Sequence, residues 1–487
     1  MLRIIVSPPN PSILAHFFAG CKLTFAQFSY KMLIRNGGMT MRSQREIAVR
    51  GLMEILGGDA YGNVALRRIL GREEGLSRLD KAFVTEIISG CIRNLIQLDY
   101  IIDAYSNTPT MRMKPAILGI LRVSVYQMKF MDKVPVFAVC NEATDLAKKM
   151  GFAKLSGFVN GLLRNIARNL ENIILPSYEA DPVEHLRIKY SCQRWIAEHF
   201  VEQLGLADAD ALLAEVCRPP SVSLCVNTGK TTVEKLREML AAEGVEVSDG
   251  RLAKNALTVS KTSDISVLPS FAGGLYHVMD EAAMLAVQAA VTPDVERIID
   301  LCAAPGGKTF AAAYIAPGAE ILAGDIHEHK VEMIRRGAER LGLKGITAGY
   351  DDATIFDENM RATADLLIVD APCSGLGTLR RRPDIKLRKG QGSVAELADL
   401  QRRILAASWQ YVRPGGRLLY ATCTISRAEN EDMRDWFLAT FPFAAADFSD
   451  RVPAVAEFAT AQDGYIQILP QYFGTDGFFI AIFERVG

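Results

Sequence analysis

Apolar residues recur three and four positions apart in four stretches between Ser43 and Leu170: REIAVRGLMEIL, LDKAFVTEIISGCIRNLIQLDYIIDAY, MKPAILGILRVSVYQMKFM and GFVNGLLRNIARNL. That period lays an apolar stripe along each of a set of amphipathic helices. Breaks fall at Gly57-Gly58, Pro109, Pro135 and Gly151, residue types that end helices. The pattern predicts an all-α domain of roughly five to seven helices over 42–172.

Past ILPSYEADP, at 174–182, the period changes. SCQRWIAEHFVEQL reads as a helix, SVSLCVNT as a strand, TTVEKLREMLAAEG as a helix capped by Thr231 or Thr232, and VEVS as a strand. A small α/β module is predicted over 180–274, with the binding of RNA or the orienting of its neighbours as its role. From Leu275 strands and helices alternate: VERIIDLC, GKTFAAAYIA, AEILAGDI, HKVEMIRRGAERLGL, ITAGY, ADLLIVDAP, SVAELADLQRRILAASWQYV, GRLLYATCT and RAENEDMRDWFLATF. Parallel strands joined by right-handed helical crossovers make a doubly wound, Rossmann-like α/β domain over 275–487. YIQILP and GFFIAIFERV close it as an antiparallel pair.

A chain of 487 residues exceeds what one core holds and divides into roughly two to four domains. With 55 basic and 56 acidic residues its net charge is -1, which gives no general attraction to polyanions. Any such site must come from local clustering, and RRRPDIKLRK at 380–389 is one cluster; Arg380, Arg381, Arg382 and Lys386 are its candidate RNA contacts, a solvated loop being the alternative. Arg93, Arg122, Lys129, Lys133, Arg164 and Arg168 recur through the helices as further candidates. Cysteines at 21, 91, 140, 192, 217, 225, 302, 373 and 423 form no CxxC pair and no metal-ligand spacing; reduced thiols in a cytoplasmic protein without a metal are expected. No apolar run approaches the ~18 residues of a membrane span. The first 45 residues lack acids and carry Arg3, Lys22, Lys31, Arg35, Arg42 and Arg45 among aromatics. Residues 1–41 are therefore set apart from the fold, either as a transit segment or as the product of a start codon upstream of Met39 or Met41.

The chemistry collects at strand ends. DAPCSG at 370–375 and YATCTISRAENE at 420–431 each place a cysteine, Cys373 and Cys423, just beyond an aliphatic run. The carboxyl edge of an open α/β sheet is where ligands bind, so the two thiols are expected to share a pocket. DLCAAPGGKT at 300–309 lies at the first strand-to-helix turn. A P-loop requires glycine where Cys302 stands, and a dinucleotide loop requires GxGxxG. What remains is a loop for S-adenosylmethionine, which has no phosphates to cradle, or a bland tight turn. Asp325 ends the second strand, placed for ribose hydroxyls; Asp352 ends the third, placed for the adenine amino group, with Asp351 as its register rival.

These strings together resemble bacterial small-subunit ribosomal RNA cytosine-5 methyltransferases of the Sun/Fmu type. DLCAAPGGKT is similar to that family's cofactor loop, DAPCSG to its fourth motif, RRRPDIK to the segment after it, and YATCTISRAENE to its sixth; FVTEIISGCIRN, ILRVSVYQMKFMDKVP and GFVNGLLRNI resemble a NusB-like RNA-binding domain. Thr424 stands where the family commonly has serine, and HVMDEAAML at 277–285 departs from its VQDxAS pattern. The resemblance implies transfer of a methyl group from S-adenosylmethionine to carbon 5 of a cytosine in 16S ribosomal RNA by a monomer. It marks Cys423 as nucleophile, Cys373 as helper in its release, Asp370 as the partner of the cytosine edge and Lys308 as its support. Cys302, Ala303, Ala304, Pro305, Gly306, Gly307, Lys308, Asp325, Asp352 and Asp370 are the implied cofactor contacts. A transfer RNA cytosine-5 methyltransferase would share every catalytic residue. An antitermination-like RNA-binding factor with a degenerate methylase is opposed by the intact cysteines, Asp370 and GGK loop.

Overall fold

Among the described residues, seven α-helices lie between Gln44 and Arg168: Gln44–Gly57, Gly62–Arg72, Arg78–Arg93, Leu95–Tyr105, Pro115–Phe130, Val136–Lys149 and Ser156–Arg168. The computed structural model describes residues 42–58, 62–73, 75–259, 265–455 and 459–487; the extension assigned to 1–41 lies outside them. Ile47, Leu52, Ile88, Ile101, Ile117, Leu121, Val159 and Leu163 meet in one core, as the apolar stripes require. The stretch read as continuous over 79–105 is two helices. Asn94 ends the first by donating its side-chain amide to the Gly90 carbonyl at 2.9 Å, a local bond that competes with the helix ladder.

The next sheet is antiparallel, ordered β2-β3-β1-β4 from β1 (Val222–Val226), β2 (Val247–Asp249), β3 (Ala256–Val259) and β4 (Tyr276–Val278). Thr232 caps the helix Val233–Ala242 by accepting from the Lys235 N–H. Strands β3 and β4 span four and three residues, too short for alternation to reveal them. The pairing of Leu224 with Val278 carries this module past the boundary placed at 274.

The third part holds an eight-stranded sheet ordered β10-β12-β9-β8-β5-β6-β7, with β11 also on β12. Its strands are β5 (Arg297–Leu301), β6 (Glu320–Asp325), β7 (Ile346–Tyr350), β8 (Ala364–Asp370), β9 (Val412–Thr422), β10 (Phe443–Ala445), β11 (Tyr465–Ile468) and β12 (Phe478–Arg485). β7, β6, β5, β8 and β9 are parallel; β12 joins β9 antiparallel and pairs with β11, as the closing pair was expected to do. Alternate residues enter opposite cores. Ile298, Leu366, Ile368 and Leu419 face the side holding the helix Glu281–Ala290, whereas Ile299, Leu367, Val369 and Tyr420 face the side holding Gly392–Ser408. Burial on both faces explains the continuous aliphatic runs. The chain leaves β5 for β6 on one side and returns to β8 on the other, so the sheet's switch point lies between the ends of β5 and β8.

The basic segment 380–389 corrects an expectation. Three of its four proposed RNA contacts are engaged inside the protein. Arg381 bonds Asp280 and Asp476, each at 2.7 Å, and the Ser221 carbonyl. Arg380 reaches Glu215 at 3.1 Å and the carbonyls of Pro219 and Gly474. Lys386 is fully buried and donates to the carbonyls of Arg93 at 3.0 Å and Tyr190 at 2.7 Å. Desolvating a cation is costly unless donors and acceptors surround it, and these partners do so while tying the helical region, the module and the large sheet together. Arg382 is half-buried with a partner of its own. In the helices Arg122 is held by Asp99 at 2.6 Å and Arg93 is buried, whereas Lys133, Arg164 and Arg168 are exposed. No helix among the described residues is long and apolar enough to cross a membrane.

Candidate active site

The two thiols meet. Sγ of Cys373, three residues past the end of β8, lies 3.2 Å from Sγ of Cys423, one residue past the end of β9. Neighbouring parallel strands with Asp370 opposite Ala421 bring the loops side by side. Gly377 fixes their approach. Its N–H donates to the Cys423 carbonyl at 3.1 Å and its carbonyl accepts from Gly477 N–H at 2.9 Å, and a Cβ at 377 would lie 1.9 Å from the Gly477 oxygen. Only glycine permits that contact. The hydrogen bond with Cys423, together with burial, holds the Cys373 thiol well above its ordinary range, which favours its protonated form; either sulfur can donate in the contact between them.

Lys308 and Asp370 form the second element. Their Nζ–Oδ2 distance is 2.6 Å, with Lys308 8 % and Asp370 32 % exposed; the buried ammonium holds the carboxylate from behind while its other face stays open. The Lys308 ammonium also lies 4.9 Å from the Phe478 ring centroid, in reach of a cation–π contact.

The glycine loop follows β5. Cys302 takes a left-handed φ of 58° and Gly306 one of 103°, the second being glycine's territory. Burial is the main cause that raises the Cys302 thiol to about 12, and the carboxylates of Asp370, Asp325, Asp300 and Asp351 add to it. Several carboxylates thus lie near the loop. Asp300 is completely buried, accepts from the Thr309 hydroxyl at 2.6 Å and leaves Oδ1 without a protein partner; burial raises its carboxyl to about 7. Asp325 accepts from the His327 N–H at 3.0 Å, with the Lys330 ammonium 3.7 Å away.

The acids at 351 and 352 part company. Asp352 Oδ1 accepts both N–H and hydroxyl of Thr354, at 3.0 and 2.6 Å, and these bonds lower its carboxyl. Asp351 folds inward against Gly324, where an added Cβ would lie 2.7 Å from its own, and burial raises it.

Two positions escaped sequence reasoning. His277 reaches from β4 to the glycine loop, Nε2 lying 3.1 Å from the Gly307 carbonyl and Nδ1 3.1 Å from the Tyr314 hydroxyl. Burial lowers it to about 3, so the ring is neutral, with Nε2 donating and Nδ1 accepting. Glu429 lies buried between the cysteine loops. It stands inside the motif YATCTISRAENE, whose acids were the available signal.

An all-α domain, a small antiparallel module and a switch-point sheet with a glycine loop and paired thiols make up the architecture of a Rossmann-like methyltransferase with two further domains. Family descriptions agree part by part: 16S rRNA methyltransferase RsmB/F over 287–484, NusB family over 42–168, and the RsmF/B-like ferredoxin-like domain over 193–266. A probable ribosomal RNA small subunit methyltransferase B of Bacillus subtilis is 37 % identical over 456 residues, 92 % of this chain and all of that one. The Vibrio cholerae ribosomal RNA small subunit methyltransferase B is 32 % identical over 83 % of this chain and 90 % of that one. The crystal structure of PH0851 shares the fold, with TM-score 0.74 at 24 % identity over 92 % of this chain and all of that one. The chain belongs to the RsmB/F family of 16S ribosomal RNA methyltransferases.

Proposed function

We propose that the chain transfers the methyl group of S-adenosylmethionine to carbon 5 of a cytosine in 16S ribosomal RNA through a covalent adduct on Cys423. The contact of two thiols at 3.2 Å, beside a carboxylate backed by a buried lysine, carries this reading. The acidic groups near the glycine loop fit the cofactor. Carboxylates suit ribose hydroxyls, an amino group and a sulfonium cation, and they repel phosphates. The loop backbone from Cys302 to Gly307 and the carboxylate of Asp325 would hold it. Asp351 is a better partner for adenine than Asp352, whose Oδ1 already serves Thr354.

When bound, S-adenosylmethionine supplies an electrophilic methyl carbon. Carbon 5 of cytosine is too weak a nucleophile until a thiolate adds at carbon 6 and leaves an enamine. Cys423 makes that bond, and the carboxylate of Asp370 accepts from the cytosine amino group and from N3–H, the proton that N3 takes up from solvent as addition places negative charge on the ring. Lys308 keeps Asp370 in place. After transfer a water hydrogen-bonded to Cys373 takes the proton from carbon 5, the 5–6 double bond re-forms, and the carbon–sulfur bond breaks to return the Cys423 thiolate. A base reaches this pocket only when unpaired or flipped.

Further roles belong to the same proposal: residues 42–172 bind RNA, with exposed Arg164 and Arg168 among the contacts; the small module, from 180 through β4, binds RNA or orients its neighbours; the remainder to 487 is catalytic; and the protein acts as a cytoplasmic monomer. Incubation with methyl-labelled cofactor and small-subunit RNA should yield 5-methylcytidine on digestion. Label in another nucleoside, or in transfer RNA alone, contradicts the reading. Asp325→Ala should weaken cofactor binding by about 1.5–3 kcal/mol, as for a lost charge-assisted hydrogen bond. Unchanged affinity by calorimetry in the folded variant removes Asp325 from the site.

A further inference from the structure

One buried carboxylate ties together the loops that carry the thiols. Glu429 Oε1 accepts from the Ser374 N–H at 2.8 Å and from Gln401 Nε2 at 3.0 Å, and Oε2 accepts from the Ser374 hydroxyl at 2.5 Å. Ser374 adjoins Cys373. Its Oγ lies 2.7 Å from Oγ1 of Thr424, which adjoins Cys423. Gln401 also donates to the Pro372 carbonyl at 3.0 Å, so both neighbours of Cys373 are held. The Tyr420 hydroxyl is 3.1 Å from Gln401 Oε1 and 2.7 Å from the Glu429 carbonyl.

The bonds can be made together in one direction: Ser374 gives its hydroxyl proton to Glu429 and accepts from Thr424. A buried carboxylate is costly without donors. Here three donors converge on it, two from Ser374 beside Cys373 and one from Gln401 on the helix Gly392–Ser408; because Glu429 belongs to the segment that follows Cys423, these bonds tie that segment to the Cys373 loop. A second effect is electrostatic. The negative charge of Glu429 disfavours a second anion nearby, and it is among the groups that raise the Cys373 thiol.

We propose that Glu429 is a positioning residue for methyl transfer, a clamp that holds the Cys373 and Cys423 loops at their thiol–thiol contact. The inference rests on the two-cysteine reading above. Removing the clamp leaves the loops free to separate, and a misplacement near 1 Å lowers rates by about 100-fold.

The test compares Glu429→Ala with Glu429→Gln in the full chain, each checked for folding by thermal melting. Glu429→Ala should lose about 100-fold in kcat while binding S-adenosylmethionine with unchanged affinity. Glutamine can keep Oε1 on Ser374 and Gln401 and turn its amide toward the Ser374 hydroxyl, so Glu429→Gln should recover to within about tenfold of the parent. In both variants Cys373, followed by alkylation and mass spectrometry, should react at lower pH, because the opposing charge has gone. Parental kcat in Glu429→Ala overturns the proposal. So does a Glu429→Gln as impaired as Glu429→Ala with Cys373 titrating as before, which would reduce the residue to packing. The alkylation profile involves no RNA and no methyl transfer, so it judges the clamp even if Cys423→Ser were to show that the nucleophile lies elsewhere.

Discussion

Cys423→Ser is expected to lower methyl transfer by at least about four orders of magnitude, the scale of losing a covalent nucleophile, and to form no RNA adduct. A serine hydroxyl lacks the thiolate population that makes addition to carbon 6 feasible at neutral pH. Cys373→Ala should differ in kind. Addition and methyl transfer precede the step Cys373 serves, so methylated RNA should accumulate on Cys423 and survive denaturing electrophoresis as a shifted band. The sulfurs stand 3.2 Å apart, so each substitution alters the surroundings of the other thiol, and the two outcomes are told apart by the adduct. A trapped adduct in Cys423→Ser, or adduct formation in Cys373→Ala only when Cys423 is also removed, would reverse the two assignments.

The parts of this site that were legible in sequence are those built by neighbours along the chain. Cys373 and Cys423 each follow a buried strand, Asp370 ends one, and the glycine loop begins a helix; period and strand ends place them without any knowledge of partners. The basic segment 380–389 was misread because its partners are remote. Arg381 finds Asp280 and Asp476, and Lys386 finds the Arg93 carbonyl 293 residues away. Charge density along a chain reports that cations are present; only the fold shows whether water or a carboxylate surrounds them. A similar limit applies to Asp351 and Asp352. Both lie past the end of β7 at its register boundary, and the choice between them turns on the Thr354 bonds to one and the packing of the other on Gly324. Strands β3 and β4 were too short to show a period, which is why the module looked smaller than it is.

Asp370→Asn tests the remaining half of the chemistry. The substitution keeps size and removes charge, so N3 loses the anion that favours its protonation and the negative charge of addition goes unneutralised. The expected loss is about 10²- to 10³-fold in kcat, in the range of removing one preorganised group from a charge-stabilising site. Lys308→Met acts differently. It leaves Asp370 in place but unheld, and it removes a cation that is almost fully buried; the rate should fall less than in Asp370→Asn. In the double variant the two losses should not add, because Lys308 acts only through Asp370 and the pair is in direct contact. Methyl-transfer rates for the four proteins of that cycle, with melting temperatures alongside, decide the point. Additive losses would mean that Lys308 serves the cofactor or the RNA independently of Asp370. A kcat in Asp370→Asn within about threefold of the parent, well short of one preorganised contact, would remove Asp370 from the cytosine edge.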